Sequence, residues 1–368
     1  MSDLLKTLLS NSAALAVFLA GVCLLLLSVI TIYVVAFFQG RSLSFWPPSV
    51  GPRPLLHVSL DTPSIPAAPA PSERPGESET QPSFPTLNKG TTIVTSSGNR
   101  VSIESSSYIG VRAALMKARD SAGRQVMVKL FWQGLNPSSE ASSTFAKEFA
   151  ASRSLHHRNI VEMLDHGLWS GYPFLVLEFL PGGTLYDLIK NRDRIPGPEI
   201  LSIAGQIADG IDHAHKNGRI HRDISPSNIL FESDAFGRVA ISDFGIAKIL
   251  GAVDARITAT AAPFEGTPAY IAPEVFSSNA ITPLVDIYGF GVVLFEMIAG
   301  RCPFPKVETV YQLFHEKVQQ PVPRLKSFRK VSDDLDARLL ATLDVNPDHR
   351  PQSARSVLSG IEPSLLSL

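Results

Sequence analysis

Residues 220–228 read IHRDISPSN, and residues 243–245 read DFG. Phosphoryl transfer needs a carboxylate beside the attacking hydroxyl and oxygen ligands for the metal ion on the phosphates. Asp223 offers the first group, and Asn228 and Asp243 offer an amide and a second carboxylate in a suitable order and spacing. Each tripeptide alone is a chance match. Together, joined by two apolar segments with a turn between them, they predict a phosphoryl-transfer site built around a short hairpin.

The 368-residue chain is nearly neutral, with a formal net charge of -1. A chain of this length accommodates one large domain or two ordinary ones. The charge argues against a basic nucleic-acid-binding surface, so no nucleic-acid partner is expected. The two cysteines, Cys23 and Cys302, are far apart in sequence, which leaves no disulfide framework and no zinc-ligand spacing. The soluble part is therefore expected to function in a reducing compartment.

The amino-terminal region contains a long apolar segment. No charged residue occurs at positions 7–40, and residues 13–38 are almost wholly apolar. This segment exceeds the roughly 20 residues that span a bilayer as a helix. A signal peptide is the alternative, but its apolar part would be about 7–15 residues long and would precede a small-residue cleavage site. We therefore expect a short segment at 1–12 and an uncleaved transmembrane helix at 13–38.

A proline-rich segment follows, in which prolines recur between residues 47 and 85 among Ser, Ala, Glu and Thr. A segment of this composition buries too little apolar surface to offset its ordering entropy. We expect residues 39–88 to form a partly extended linker. Its prolines also leave open a docking site of the PxxP type, with a plain spacer as the simpler interpretation.

The sequence pattern changes at about residue 89, where a folded domain is expected to begin. Short segments rich in β-branched residues come first, and helical periodicity follows. We predict strands at 91–95, 100–104, 111–118, 125–131, 161–164 and 174–180, and helices at 145–155, 185–191, 199–217 and 283–299. The last helix is apolar nearly all round, which indicates burial in a large domain. This order predicts an α+β fold with two lobes, a domain over 89–362 and a tail at 363–368.

From about residue 90 to residue 362, the chain resembles the eukaryotic-like Ser/Thr protein kinases of bacteria. Besides the two motifs quoted first, the resemblance rests on VMVK at 126–129, HRNIV at 157–161, GTPAY at 266–270 and APE at 272–274. It implies a two-lobed protein-kinase-like fold with a small β-rich lobe and a larger helical lobe. It also implies ATP and Mg²⁺ as cofactors and proteins as substrates.

The resemblance assigns chemical roles to residues of both lobes. Lys129 would hold the α- and β-phosphates, Asp223 would accept the proton of the substrate hydroxyl, and Asn228 and Asp243 would bind Mg²⁺. The backbone at residues 178 and 180 would meet adenine. The implied catalytic set is Asp223, Lys129, Asn228 and Asp243. The implied nucleotide-binding set is Lys129, Gly110, Leu115, Met127, Glu178, Leu180 and Leu230.

The resemblance further implies residues that support or regulate the site, namely Glu148, Arg222, Glu274, Asp286, Arg350, Thr258 and Thr260. Glu148 would pair with Lys129, Asp286 would anchor the catalytic loop, and Arg350 would form a buried pair with Glu274. An arginine directly before the catalytic aspartate can pair with a phosphate, which indicates control by phosphorylation of the activation segment. The two threonines are the nearest acceptors, and they are nearly as well explained as ordinary loop residues.

Three features depart from the family pattern. In the glycine-rich loop only Gly110 remains, because Tyr108 and Ala113 occupy the other two glycine positions and glycine approaches phosphate more closely. Met127 replaces the small residue that covers adenine, so we expect it to crowd the pocket unless its flexible thioether shifts. Ser225 stands where Ser/Thr kinases usually carry a lysine near the transferring phosphate. We expect weaker ATP binding than the intact catalytic residues alone would give.

The leading hypothesis is a membrane-anchored Ser/Thr protein kinase that phosphorylates protein Ser/Thr hydroxyls and its own activation loop. Lys6 precedes the apolar segment and Arg41 and Arg53 follow it, so flanking charges do not decide its orientation. Because the domain must face ATP, we expect a single-pass protein of the cell (inner) membrane with a cytoplasmic kinase domain.

A pseudokinase that binds nucleotide or partners is the alternative, favoured by the three departures and opposed by the intact catalytic residues. A small-molecule kinase is disfavoured, because the GTPAY and APE segments handle protein substrates.

Overall fold

The computed structural model describes residues 87–109, 113–131, 149, 153, 155–233, 237–244, 268–276, 281–304 and 310–368. The expected transmembrane helix and nearly all of the linker lie outside these residues, as does most of the helix expected at 145–155. Four predicted site residues also lie outside them, namely Gly110, Glu148, Thr258 and Thr260. Among the described helices, none is long and apolar enough to cross a membrane.

Six antiparallel strands form the small lobe. They are β1 (Thr92–Val94), β2 (Arg100–Ile109), β3 (Ala113–Asp120), β4 (Gln125–Phe131), β5 (Met163–Trp169) and β6 (Tyr172–Glu178), in the sheet order β1-β2-β3-β4-β6-β5. Alternate residues of β3 and β4 are buried, because successive side chains of a strand point to opposite faces. All six predicted strands are present, but the strand predicted at 161–164 runs instead from Met163 to Trp169. Strand β2 continues past its predicted end at 104, because two irregularities in its pairing with β3 carry it through a run of serines.

Helices dominate the described part of the second half. They are α1 (Leu185–Asn191), α2 (Gly197–Lys216), α3 (Leu284–Ala299), α4 (Val310–Gln319), α5 (Asp333–Thr342), α6 (Ala354–Leu358) and α7 (Glu362–Leu366). The predictions for α1, α2 and α3 are confirmed within two residues at each end. Thirteen of the 16 residues of α3 are buried, as its continuous apolar sequence predicts. Side chains of α2 and α3 share one large apolar core.

The predicted hairpin is also confirmed, and it lies against this core. Strand β7 (Ile229–Phe231) pairs with β8 (Val239–Ile241), and nearly all of their side chains are buried. The loop before β7 packs directly on α3 at Gly289. A Cβ atom at this glycine would lie 3.1 Å from the carbonyl oxygen of Ile224. Glycine therefore permits the close approach that positions residues 220–228 on the buried helix.

Candidate active site

Asp286 of α3 anchors residues 220–228 from below. Its Oδ2 accepts the N–H of His221 at 2.7 Å and lies 2.8 Å from Nε2 of His215, and its Oδ1 accepts the N–H of Arg222 at 2.7 Å. Asp286 is 1% exposed, and a buried carboxylate is stable only with such donors. Arg222 has a φ of 69°, which is uncommon for a residue other than glycine. The contacts of Asp286 hold this unusual backbone in place.

His221 joins the loop to the segment before Asp243. Its Nδ1 accepts the N–H of Asp223 at 3.1 Å, and its Nε2 donates to the carbonyl oxygen of Ser242 at 2.6 Å. These partners assign a ring proton to Nε2 and leave Nδ1 as the acceptor. The ring also meets Phe244 edge-on, with 4.5 Å between centroids. His221 therefore fixes the two motifs relative to each other.

Four predicted catalytic residues come together beside the hairpin. Asn228 Nδ2 donates to the carbonyl oxygen of Asp223 at 2.8 Å and to its Oδ2 at 3.2 Å. The carbonyl oxygen of Asn228 accepts the N–H of Ser242 at 2.8 Å, which brings Asp243 next to it. Lys129 of β4 reaches across from the small lobe, and its Nζ lies 2.7 Å from Oδ2 of Asp243. The structure thus gathers an ammonium group, two carboxylates and an amide.

Asn228 and Asp243 offer the oxygen ligands that Mg²⁺ prefers. Mg²⁺ is usually bound by one or two carboxylates together with substrate phosphates, rather than by a complete protein cage. In the described ranges no group of three His, Cys, Asp or Glu side chains forms such a cage. The Asn228 amide directs its nitrogen at Asp223, which leaves Oδ1 as the atom for a cation. This donor set fits a metal ion that binds together with the nucleotide.

The residues expected around adenine meet in one apolar cluster. Half-buried Met127 and Leu230 pack against it, one from β4 and the other from β7. Its buried members are Phe131, Phe149, Val161, Met163, Leu175, Leu177, Leu180 and Ala240. Leu115 is half-buried on β3, opposite Lys129 in the strand register. The cluster joins both lobes, so the residues expected on the two sides of the adenine ring share one apolar surface.

Glu178, at the end of β6, makes an ion pair that the sequence does not predict. Nη1 and Nη2 of Arg238 donate to its two carboxylate oxygens, each at 2.7 Å. Nε of Arg238 donates to the carbonyl oxygen of Arg158, and Oε1 of Glu178 accepts the N–H of Glu162 at 2.7 Å. Hydrogen bonding to Glu178 raises the pKa of Arg238. Because Arg238 directly precedes β8, this network ties the small lobe to the catalytic hairpin.

Residues 268–276 are held by polar contacts. Arg350 forms a two-pronged pair with Glu274, with N–O distances of 2.7 and 2.8 Å. Its guanidinium lies 4.9 Å from the ring centroid of Tyr288. The Tyr270 hydroxyl donates to Glu296 of α3, and burial raises the pKa of both groups. The sequence predicts the Glu274 pair through its motif, but it offers no signal for the Tyr270 contact.

Sequence comparison relates the chain to known kinases. It matches the family model described as protein kinase domain over residues 109–359. It is 32% identical over 262 residues to a probable serine/threonine-protein kinase of Clostridium acetobutylicum, covering 71% of this chain and 39% of that protein. It is also 32% identical over 240 residues to the serine/threonine-protein kinase PrkC of Bacillus subtilis, covering 65% and 36%. The chain therefore spans less than two fifths of the length of these relatives.

Comparison with solved structures gives the same fold. A structure of Rad53 in complex with AMP-PNP has 27% identity and a TM-score of 0.58, covering 72% of this chain and 64% of that chain. The PknI kinase domain of Mycobacterium tuberculosis has 21% identity and a TM-score of 0.57, covering 76% and 99%. The second similarity concerns the fold alone. Both confirm the two-lobed kinase architecture that the sequence predicts.

Proposed function

Because the chain belongs to the protein kinase family, we propose that it transfers the γ-phosphate of ATP to Ser and Thr hydroxyls of proteins. Its relatives are the eukaryotic-like Ser/Thr protein kinases of bacteria. The observation that carries the proposal is the convergence of Lys129, Asp223, Asn228 and Asp243. A pseudokinase is not favoured, since all four residues are present and the similar proteins are named as kinases.

Each of these side chains has a separate task in the transfer. The Lys129 ammonium binds and aligns the α- and β-phosphates. The Asp223 carboxylate orients the substrate hydroxyl and accepts its proton, while Asn228 holds that carboxylate through its amide nitrogen. Asn228 and Asp243 would hold Mg²⁺, which when bound would neutralise charge on the phosphates. Most of the rate gain then comes from positioning and electrostatics.

Phosphoamino-acid analysis tests this proposal. The full-length protein is incubated with radiolabelled ATP, Mg²⁺ and casein as a general protein substrate, beside a matched reaction that contains EDTA. We expect label on serine and threonine, and we expect EDTA to abolish it. Label confined to tyrosine, or no transfer by the folded protein, would contradict the proposed function.

Membrane attachment is a further part of the proposal. Residues 13–38 would anchor the chain in the cell (inner) membrane, and residues 39–88 would tether the kinase domain on the cytoplasmic side. The length of the apolar segment and its lack of charge support this arrangement. Deleting residues 1–40 should move the protein from carbonate-washed membranes to the soluble fraction without abolishing phosphotransfer. A full-length protein that is already soluble would rule out the anchor.

Phosphorylation of the activation segment is the proposed control. Arg222 lies directly before Asp223, and a phosphate on Thr258 or Thr260 could pair with its guanidinium. Mass spectrometry after incubation with ATP should find phosphate on at least one of these threonines. Replacing both with alanine should lower the initial rate. A double variant as active as the wild type would show that they are ordinary loop residues.

A further inference from the structure

Helix α4 carries a lysine that is almost completely buried. Lys317 is 2% exposed, although lysine is almost never fully buried unless it is paired. Burial holds its pKa well below the ordinary value for a lysine. A buried ammonium group is costly unless its N–H groups are hydrogen-bonded. The hydrogen-bond partners of Lys317 therefore indicate which part of the fold it stabilises.

The Lys317 ammonium binds the backbone at two points. Its Nζ donates to the carbonyl oxygens of Ala269 and Ile271, both at 2.6 Å. The same group lies 4.9 Å from the ring centroid of Tyr288 and 4.6 Å from that of Phe304. Both distances are within the range of cation–π attraction. Two carbonyl groups and two aromatic rings are thus among the neighbours of this amino group.

The two bound carbonyl groups flank Tyr270, whose hydroxyl donates to Glu296 of α3. A second contact joins α4 to the same part of the chain, because Phe314 meets Phe276 with 5.7 Å between ring centroids. Residues 268–276 are thereby held through their backbone by α4 and through a tyrosine by α3. The family resemblance gives these residues the substrate-facing side of the large lobe.

We propose that Lys317 is a positioning residue for the protein substrate. By binding the carbonyl groups of Ala269 and Ile271, it sets the shape of the surface that receives the polypeptide next to the phosphoacceptor. The inference rests on the proposed kinase function. A defect at Lys317 should impair the use of protein substrate and leave ATP binding nearly unchanged, because the bound carbonyl groups do not belong to the nucleotide pocket.

The test replaces Lys317 with methionine, which has a similar length and no N–H donor. In the full-length protein, Lys317→Met should raise the KM for casein about tenfold, which corresponds to about 1.4 kcal/mol. The Kd of a fluorescent ATP analogue should change by less than about twofold, or about 0.4 kcal/mol. Lys317→Arg keeps the charge and the donors, so it should recover much of the casein KM. This split between the two substrates is not expected from a general loss of stability.

Arg329→Met is the matched control. Arg329 is also a buried cation that binds backbone carbonyl groups, those of Ile195 at 3.0 Å and Leu368 at 2.8 Å. Its replacement should lower the thermal unfolding midpoint without a selective rise in the KM for casein. An equal rise in both methionine variants would reduce Lys317 to a general stabilising residue and overturn the inference.

Two further outcomes separate this inference from the proposed function. If Lys317→Met fails to fold, Lys317→Gln takes its place and is judged by the same two measurements. An unchanged KM for casein in the folded variant overturns the role of Lys317 and leaves the kinase function intact. Absence of phosphotransfer by the wild-type protein overturns the proposed function and this inference with it.

Discussion

The floor of the candidate site is the catalytic loop at residues 220–228, and its roof is formed by strands β3 and β4. The two are held by different forces. In the floor, Asp286 and His221 fix the catalytic loop through hydrogen bonds of 2.6 to 2.7 Å. In the roof, Met127 of β4 and Ala113 of β3 contribute apolar packing. Hydrogen bonds weaken steeply when their geometry changes, whereas the hydrophobic effect has no preferred direction. Substitutions that remove a hydrogen-bonding group should therefore be poorly tolerated in the floor. The roof should tolerate changes in side-chain size.

The departures from the family pattern follow this difference. Tyr108, Ala113 and Met127 all lie in strands of the small lobe. Ser225 is the departure in the floor, and its carbonyl oxygen accepts the N–H of Asn228 at 3.0 Å. That contact uses the backbone alone, so it does not depend on the side chain at residue 225. The floor keeps its hydrogen bonds even where its sequence changes.

The largest effect should come from removing a charge in the floor. Asp243→Asn tests this better than Asp243→Ala. Asp243 has a φ of 69°, and asparagine adopts this conformation more readily than alanine. It removes the carboxylate that pairs with Lys129 and would bind Mg²⁺. Turnover should fall about a thousandfold, in the range for groups that stabilise charge in phosphoryl transfer. Initial rates at saturating ATP measure the change.

Asp334→Asn is the control for this prediction. Asp334 pairs with Arg338 on the exposed side of α5, and exposed pairs contribute little to stability. Its replacement should leave the rate unchanged. If Asp243→Asn turned over as fast as this control, the floor would not carry the chemistry.

A smaller effect is expected in the roof, at Met127. Overpacking typically costs about 1–3 kcal/mol, and every 1.4 kcal/mol is roughly tenfold in affinity. Met127→Ala should therefore lower the KM for ATP by up to roughly tenfold, with a smaller change in kcat. Met116→Ala is the control, because Met116 is buried in a separate apolar cluster of the small lobe, with Ile103 and Val128, and should affect stability only.

Titration with ATP decides between crowding and packing at Met127. A methionine that packs usefully on the adenine ring would leave a cavity when it is replaced. Weaker ATP binding by Met127→Ala would then show that the methionine is a packing partner of the nucleotide, and the crowding hypothesis would be lost.

The smallest effect concerns the ion pair between the lobes. Arg238→Gln removes the two-pronged contact with half-buried Glu178, and the free energy of unfolding should fall by about 1 kcal/mol. The KM for ATP should change less than about threefold, because pairing of β6 with β4 also holds the backbone of Glu178. Urea denaturation and ATP titration provide the two values.

Arg119→Gln breaks a more exposed pair with Glu104 and should have the weaker effect on unfolding. The reverse order would show that Arg238 contributes nothing beyond a surface charge.

Local sequence patterns explain why much of the fold was predictable. The continuous apolar run of α3 predicts its burial, and two apolar segments with a turn between them predict the hairpin of β7 and β8. Asn228 and Asp243 flank the hairpin, and α3 carries Asp286, so the order of these elements in the sequence also predicts most of the site. The end of β2 was missed because its serine-rich continuation lacks the apolar alternation of a strand.

Contacts between distant segments were not predictable in the same way. Arg238 and Glu178 are 60 residues apart, and Lys317 and Ala269 are 48 residues apart. A periodic pattern reports which face of an element is buried, but not which other segment covers it. In sequence, Lys317 is an ordinary lysine of an amphipathic helix. Its proposed role follows only from the packing of α4 against residues 268–276.

Asp223 decides most directly between an enzyme and a pseudokinase. The measurement is the rate of phosphate transfer to casein at saturating ATP and Mg²⁺, for the full-length wild type and for Asp223→Asn, with the Kd of a fluorescent ATP analogue measured for both. Asparagine has nearly the same shape but cannot accept the proton. We predict a fall in turnover of about 100- to 10,000-fold, the range for general acid–base groups, with little change in nucleotide affinity. Equal turnover by the two proteins would contradict the proposed mechanism.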